Sequence, residues 1–178
     1  MPAGWTGIRR GRSEAKENML KDRIILLVED DPDDVCMLER AFEKAGWRGA
    51  LRVAQDGEQA IEYLGGRGRY VNRELYPMPF LILLDLKMPG RDGFEVLRWV
   101  RADQNLKRLL IVVLTSSNLE ADVDRAYELG ANSYLVKPVG FQEMVNMVQR
   151  FETYWAEINR TPTPPAVTKP ISPEPRLS

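Results

Sequence analysis

The sequence has 178 residues, of which 44% are hydrophobic and 29% charged, and a chain of this length and composition can form one well-packed globular core. It contains no histidine and a single cysteine, Cys36, which argues against Ser-His-Asp and Cys-His catalysis, against zinc sites and against an internal disulfide. The formal net charge is −1, and residues 19–158 alone carry five more acidic than basic side chains, which disfavours nucleic-acid binding because phosphate contacts need clustered lysine and arginine.

The two ends of the chain are expected to lie outside a single folded domain at residues 23–158. Residues 1–22 lack the apolar core of a signal peptide and are predicted to form a flexible basic N-terminal extension. Residues 159–178 contain six prolines and almost no periodic apolar residues, which predicts a disordered Pro-rich tail. No apolar run is long enough to span a bilayer, so we expect a cytoplasmic protein without a membrane partner.

Between these ends, short apolar runs alternate with amphipathic segments. Predicted strands cover residues 24–28, 50–53, 80–84, 110–114 and 133–136, and predicted helices cover residues 33–45, 58–64, 93–102, 120–129 and 141–158. This (βα)5 order predicts an α/β fold with a mostly parallel sheet covered by helices. The connection at 65–79 is longer than most in such folds and indicates a surface insertion or a binding loop.

The stretch LILLDLKMPGRDG, residues 81–93, places a carboxylate directly after a strand that reads as buried. Desolvating an unpaired carboxylate is costly, so Asp85 needs a functional or structural partner. In open parallel α/β sheets, ligands bind beyond the carboxyl ends of the strands. At that edge the sequence places Glu29 and Asp30 after the first strand, Asp85 after the third, Thr115 after the fourth and Lys137 after the fifth.

These residue types together indicate a phosphoryl-binding site. Neighbouring carboxylates repel each other unless a cation lies among them, and Mg2+ prefers carboxylates, waters and a phosphate oxygen as ligands. Lys137 offers a compact positive charge to a phosphoryl group, and the Thr115 hydroxyl can donate a hydrogen bond to it. Because a carboxylate can itself act as the nucleophile, Asp85 is predicted to be a phosphoacceptor.

Four motifs at the strand ends carry a resemblance to a known family. VEDD (residues 28–31), LLDLKMPGRDG (83–93), VVLTSS (112–117) and GANSYLVKP (130–138) resemble the receiver domain of two-component response regulators, and the similarity covers roughly residues 23–155. The resemblance implies a flavodoxin-like, doubly wound sheet of five parallel strands in the order 2-1-3-4-5.

The resemblance also implies a role for each site residue. Asp85 would accept a phosphoryl group from a sensor histidine kinase, and Lys137 would pair with the phosphate. The Lys137–Pro138 peptide bond would be cis. Mg2+ would be held by Asp85, by Asp30 directly, by Glu29 through water and by the backbone carbonyl of Lys87. Thr115 and Tyr134 match the family's switch pair. Glu29 stands where many members have aspartate, so its longer side chain is expected to alter the water shell of the ion.

A narrower resemblance concerns the partners. The long insertion, the phrase EYLGGRGRY and the aromatic-rich end MVQRFETYWAEI resemble single-domain regulators that partner phytochrome-type sensor kinases. The last predicted helix carries two apolar stripes, one more than a sheet needs, which predicts a homodimer through that helix. The alternative is that the tail folds back over these residues. The expected protein is a signalling protein that phosphorylates and dephosphorylates itself and acts on no separate substrate.

Other interpretations of the same residues remain. Asp33 and Asp34 fit the first turn of a helix, where acidic side chains are favourable. An aspartate-nucleophile phosphohydrolase would need a second aspartate two residues after Asp85, where Lys87 stands. A nucleotide or flavin module would need a glycine-rich turn in place of EDDPDD. A phosphorylation-independent interaction module with the receiver fold is the main alternative.

Overall fold

The structure is a computed structural model that describes residues 23–47, 49–163 and 170–173. The predicted N-terminal extension, residues 1–22, lies outside the described residues, as does most of the predicted tail beyond residue 163. Within the described part of the chain, no helix is long and apolar enough to cross a membrane.

Five parallel strands form one sheet in the order β2-β1-β3-β4-β5. The strands are β1 (Ile24–Val28), β2 (Ala50–Ala54), β3 (Leu81–Leu84), β4 (Leu110–Thr115) and β5 (Ser133–Val136). All residues of β3 and β4 are buried, as expected of central strands covered on both faces. The flavodoxin-like topology and the strand order are therefore confirmed, and each predicted strand agrees within a residue at either end.

Five helices connect and cover the strands. They are α1 (Pro32–Ala45), α2 (Gly57–Gly65), α3 (Gly93–Ala102), α4 (Glu120–Glu128) and α5 (Phe141–Glu152). Asp31, Asp56 and Asp92 cap α1, α2 and α3 by accepting backbone N–H groups of the first turn. The last helix differs from its prediction, because the α-helical part ends at Glu152 and the chain continues as a π-helical segment, Thr153–Ile158.

Two apolar layers lie on opposite faces of the sheet. Leu38 and Phe42 of α1 pack with Val145 and Val148 of α5 on one face. Ile61 and Leu64 of α2 pack with Leu97 and Trp99 of α3 on the other face. These layers fix all five strands, so the carboxyl ends of the strands form a well-defined edge.

The long connection after α2 is packed against that helix. Tyr63, Tyr70 and Tyr76 form a cluster with ring centroids 5.0 to 6.1 Å apart. The Arg73 guanidinium donates hydrogen bonds to the backbone carbonyls of Tyr63 and Leu64, which satisfies the end of α2. The connection is thus an ordered surface insertion in this structure.

A short piece of the predicted tail also packs on the domain. Ile171 is 8% exposed and belongs to the same apolar layer as Trp99. Its backbone N–H donates to the Gly65 carbonyl at 2.9 Å, and the Trp99 indole donates to the Ser172 carbonyl at 3.1 Å. In this structure, one aliphatic side chain and two hydrogen bonds thus seat residues 170–173 of the predicted tail between α2 and α3.

Candidate phosphoacceptor site

Asp85 is the first residue after β3 and is buried, with 5% of its surface exposed. Its backbone N–H donates to the Val28 carbonyl, and its Oδ1 accepts the Leu86 N–H at 2.7 Å. The first hydrogen bond holds the Asp85 backbone beside β1, and the second orients its carboxylate. The other oxygen, Oδ2, faces Lys137 at 3.6 Å.

Glu29 and Asp30 follow the neighbouring strand β1 and lie beside Asp85. Glu29 is 1% exposed and Asp30 is half-buried. One oxygen from each of the three carboxylates lies within 4.8 Å of the others, which is close enough for a shared cation. Oxygen ligands in this number suit a hard divalent ion, so the geometry supports divalent metal binding at Glu29, Asp30 and Asp85.

Lys137 is the first residue after β5, and its side chain reaches across the sheet edge to the carboxylates. Its Nζ donates to Glu29 Oε2 at 2.5 Å and to Asp34 Oδ2 at 2.7 Å, while Asp85 Oδ2 lies farther away at 3.6 Å. The Lys137 side chain is 7% exposed. In this structure the ammonium group is therefore paired mainly with Glu29 and Asp34.

Burial and charge act in opposite directions on the pKa values of Glu29 and Lys137. Burial raises the pKa of Glu29 to about 7, although the hydrogen bond from Lys137 lowers it. Burial lowers the pKa of Lys137, but the hydrogen bonds to Asp34 and Glu29 and the negative charges of Asp85 and Glu29 together outweigh burial, so the pKa of Lys137 is raised. The lysine is consequently held as a cation at the sheet edge.

Thr115 is the last residue of β4, and Tyr134 lies in the neighbouring strand β5, packed near Ala126 of α4. Thr115 is fully buried, and its hydroxyl oxygen lies 3.5 Å from the Ser117 backbone nitrogen. The Tyr134 hydroxyl donates to the Ser117 carbonyl at 3.0 Å. Both side chains thus contact the same short loop after β4, which links the site to the surface.

The sequence matches the family model of the response regulator receiver domain over residues 25–149. The chain belongs to this receiver domain family. The response regulator Rcp1 of Synechocystis is 40% identical to this chain over 135 residues, which are 76% of this chain and 90% of Rcp1. The probable methanogenesis regulatory protein FilR2 of Methanothrix harundinacea is 38% identical over an alignment of 146 residues that covers 79% of this chain and 88% of FilR2.

Solved structures of receivers match the fold as a whole. The phosphorylated cyanobacterial phytochrome response regulator RcpA superposes with a TM-score of 0.74 at 33% identity, covering 80% of this chain and 99% of RcpA. The Mn2+-bound form of Rcp1 gives a TM-score of 0.71 at 38% identity, covering 79% of this chain and 99% of Rcp1. The resemblance to phytochrome-linked regulators inferred from the insertion and the last helix is confirmed by these relatives.

Two glycines allow the loop after β3 to pack closely against two helices. A Cβ atom on Gly93, the first residue of α3, would overlap the carbonyl oxygen of Asp85. A Cβ atom on Gly57, the first residue of α2, would overlap the carbonyl oxygen of Arg91. The loop from Asp85 to Arg91 is thus packed between two helix N-termini, backbone against backbone.

Lys87 in the same loop points its side chain toward α4. Its Nζ lies 2.8 Å from Asp122 Oδ2, and the Ser117 hydroxyl donates to the same oxygen. Together the hydrogen bonds from Lys87 and Ser117 lower the pKa of Asp122. This network ties the loop after β3 to the loop after β4.

The receiver geometry brings together Glu29, Asp30, Asp85 and Lys137 at one edge, with Thr115 and Tyr134 beside them, while the carbonyl ligand at Lys87 stays a prediction. One expectation is wrong: the part of the chain that the structure describes contains no cis peptide bond, so Lys137–Pro138 has the trans isomer that X-Pro bonds favour. One contact was missed, because Asp34 was attributed to the first turn of α1 alone.

Proposed function

We propose that this receiver accepts a phosphoryl group on Asp85 from a sensor histidine kinase and acts as a stand-alone response regulator. The observation that carries the proposal is the position of a buried carboxylate, Asp85, beside two further carboxylates and 3.6 Å from a buried ammonium group. Similarity to Rcp1 and RcpA over most of their length supports it.

The chemistry needs no side chain beyond those at the sheet edge. An Asp85 carboxylate oxygen attacks phosphorus in line, a P–O bond forms, the P–N bond to the kinase histidine breaks, and its electron pair stays on the imidazole nitrogen. For dephosphorylation, water attacks the phosphorus of the acyl phosphate, releasing inorganic phosphate and restoring the carboxylate. Lys137 and Thr115 would stabilise the charge on the phosphoryl oxygens.

We propose Mg2+ as the divalent ion. Asp30 and Asp85 would bind it directly, Glu29 through water, and the Lys87 carbonyl would complete the protein ligands. The ion would neutralise the charge of the carboxylates and of the incoming phosphoryl group. A relative of this chain, Rcp1, has been solved with Mn2+, which prefers the same oxygen ligands.

We further propose that the kinase is of the phytochrome type and that the protein acts in the cytoplasm. Support for the kinase comes from RcpA, a cyanobacterial phytochrome response regulator. Signalling would follow from a change of surface in which Thr115 moves toward the phosphoryl group and Tyr134 gives up its bond to the Ser117 carbonyl. No separate substrate is proposed.

The proposed output is a homodimer formed through the last helix. Most apolar residues of α5 are buried on the sheet, but Tyr154 and Ile158 in the π-helical segment are 50% and 66% exposed. Beside them a cavity of about 640 Å3 lies between β5 and the last helix, lined by Leu135, Met147 and Tyr154 among others. An exposed apolar surface next to a concave one is suited to pairing with a second copy.

The deciding experiment is intact-mass spectrometry after incubation with acetyl phosphate and Mg2+. The wild-type chain should gain one phosphoryl group, and Asp85→Asn should gain none while keeping its circular dichroism spectrum. Equal incorporation in both proteins would contradict Asp85 as the acceptor. If neither gains mass from acetyl phosphate or from a histidine kinase, the protein is a phosphorylation-independent module with a receiver fold. Sedimentation of the same samples reports whether phosphorylation changes the oligomeric state.

A further inference from the structure

The pairing of Lys137 is unequal among the three carboxylates around it. The ammonium group lies 2.5 Å from Glu29 and 2.7 Å from Asp34, but 3.6 Å from the phosphoacceptor Asp85. Hydrogen bonds from N–H donors to oxygen have lengths up to about 3.2 Å, so Lys137 is hydrogen-bonded to Glu29 and Asp34, and these two contacts hold the ammonium group. In this structure the Lys137 ammonium group is hydrogen-bonded to Glu29 and Asp34 and not to Asp85.

Asp34 differs from the other two carboxylates. It lies in the first turn of α1, and its side chain is 29% exposed, against 1% for Glu29 and 7% for Asp85. Its carboxylate lies within hydrogen-bond distance of Lys137, and it belongs to neither the metal cluster nor the strand-end motifs.

We propose that Asp34 is a positioning residue that competes with the phosphoryl group for Lys137 and thereby stabilises the unphosphorylated state. The inference rests on the proposed function, since it assumes phosphorylation of Asp85. When the phosphoryl group arrives, Lys137 exchanges its bond to Asp34 for a bond to a phosphoryl oxygen. The free energy of the Lys137–Asp34 contact is thus subtracted from the stability of the phosphorylated state.

Removing the charge of Asp34 should therefore favour the phosphorylated state. In Asp34→Asn, the rate of phosphorylation by acetyl phosphate and the affinity for beryllofluoride, an inert phosphoryl mimic, should both rise by up to about fivefold, the upper end of the range for a partly exposed ion pair. Asp33→Asn is the matched control, because Asp33 is exposed, carries the same charge in the same helical turn and makes no contact with Lys137 among those the structure records. It should stay within about twofold of wild type.

A double-mutant cycle distinguishes positioning from simple charge repulsion. In a Lys137→Met background there is no ammonium group to hold, so Asp34→Asn should no longer change beryllofluoride affinity. If the effect of Asp34→Asn persists there at full size, Asp34 acts by repelling the phosphoryl group and the inference is wrong. Nitrogen-15 NMR of the Lys137 ammonium group gives a second readout, and its signal should shift in Asp34→Asn but not in Asp33→Asn.

The outcomes also separate this inference from the proposed function. If wild type is phosphorylated but Asp34→Asn behaves like Asp33→Asn in every assay, Asp34 has no positioning role and the receiver function stands. If wild type is not phosphorylated by acetyl phosphate or a kinase and does not bind beryllofluoride, the proposed function itself fails and the inference fails with it. Urea unfolding of each variant verifies that the differences do not come from lost stability.

Discussion

Replacing Ile171 by serine should release the segment Pro170–Pro173 from the groove between α2 and α3. The seated segment is held by one buried side chain and two hydrogen bonds, from Ile171 N–H to the Gly65 carbonyl and from the Trp99 indole to the Ser172 carbonyl. Serine keeps the backbone groups but removes nearly all of the apolar surface. The substitution therefore tests whether this single side chain decides between the seated and the released segment.

The free energy gained by packing residues 170–173 is only slightly larger than the conformational entropy lost by ordering them. Burying an isoleucine contributes about 2–3 kcal/mol, and two hydrogen bonds add about 1 kcal/mol each. Ordering four residues costs about 1 kcal/mol or more each, with the two prolines at the low end because their φ is already fixed. The seated segment is thus favoured by about 1 kcal/mol, and losing about 2 kcal/mol of burial reverses the preference.

The cost to global stability should nevertheless be small. Because the segment can detach while the sheet and helices remain folded, Ile171→Ser can lower the free energy of unfolding by no more than the seating energy, about 1 kcal/mol. The same truncation in a fully enclosed core would cost about 2–5 kcal/mol. A small loss of stability together with full release of residues 170–173 would show that this segment packs on the domain without being part of its cooperative core.

The assay is NMR of the tryptophan indole N–H groups, with the Trp99 signal assigned by Trp99→Phe. Its hydrogen exchange should accelerate in Ile171→Ser, while Ile158→Ser, a control at a residue that is 66% exposed, should leave it unchanged. Unchanged Trp99 exchange in Ile171→Ser would refute the reasoning. So would a loss of stability of 3 kcal/mol or more, which would make residue 171 part of the cooperative core.

Two further predictions concern other parts of the domain. Burial raises the pKa of Tyr63 to about 12, and since an unfolded tyrosine ionises near 10, the stability from neutral Tyr63 is complete below pH 10 and is lost as the pH rises toward 12, by about 2–3 kcal/mol. Tyr63→Phe, which loses the hydrogen bond to the Pro77 carbonyl, should be about 1 kcal/mol less stable than wild type at pH 9 but more stable near pH 11.5. If urea unfolding gives the same difference in stability between Tyr63→Phe and wild type at both pH values, this prediction is wrong. Gly93→Ala should destabilise the fold by about 3 kcal/mol or more, because its Cβ overlaps the Asp85 carbonyl, whereas Gly90→Ala, with open space around it, should cost only about 1 kcal/mol for its positive φ. Equal unfolding midpoints for the two alanine variants would show that α3 can move away from the loop.

The sequence was sufficient for the sheet and for most of the site. Apolar runs that end in Glu29, Asp85 and Thr115 identify strands whose carboxyl ends must meet, and the motifs there specify a receiver. Asp34 could not be found this way, because an acidic residue in the first helical turn already has a satisfactory local explanation. Only the position of α1 relative to the end of β5 brings it to Lys137.

Two other features are also decided by tertiary contacts. Ile171 is a lone aliphatic residue among prolines and has no periodicity to detect, so its seat depends on a groove built by Gly65 and Trp99. The chain changes from α-helix to a π-helical segment at Thr153, but the apolar residues on both sides keep a spacing that also fits one long α-helix. In both cases the local sequence permits several conformations, and packing selects one.

The contact of Gly57 and Gly93 with the loop from Asp85 to Arg91 has a consequence for which substitutions that loop can accept. The course of the loop is set by main-chain atoms pressed between two helices, so it depends little on which side chains the loop carries. Lys87 and Arg91 are at least partly exposed, with their partners Asp122 and Glu58 on separate helices. Substitutions at Lys87 and Arg91 should therefore change the contacts to α4 and α2 while the backbone around Asp85 keeps its course, provided the two glycines are kept.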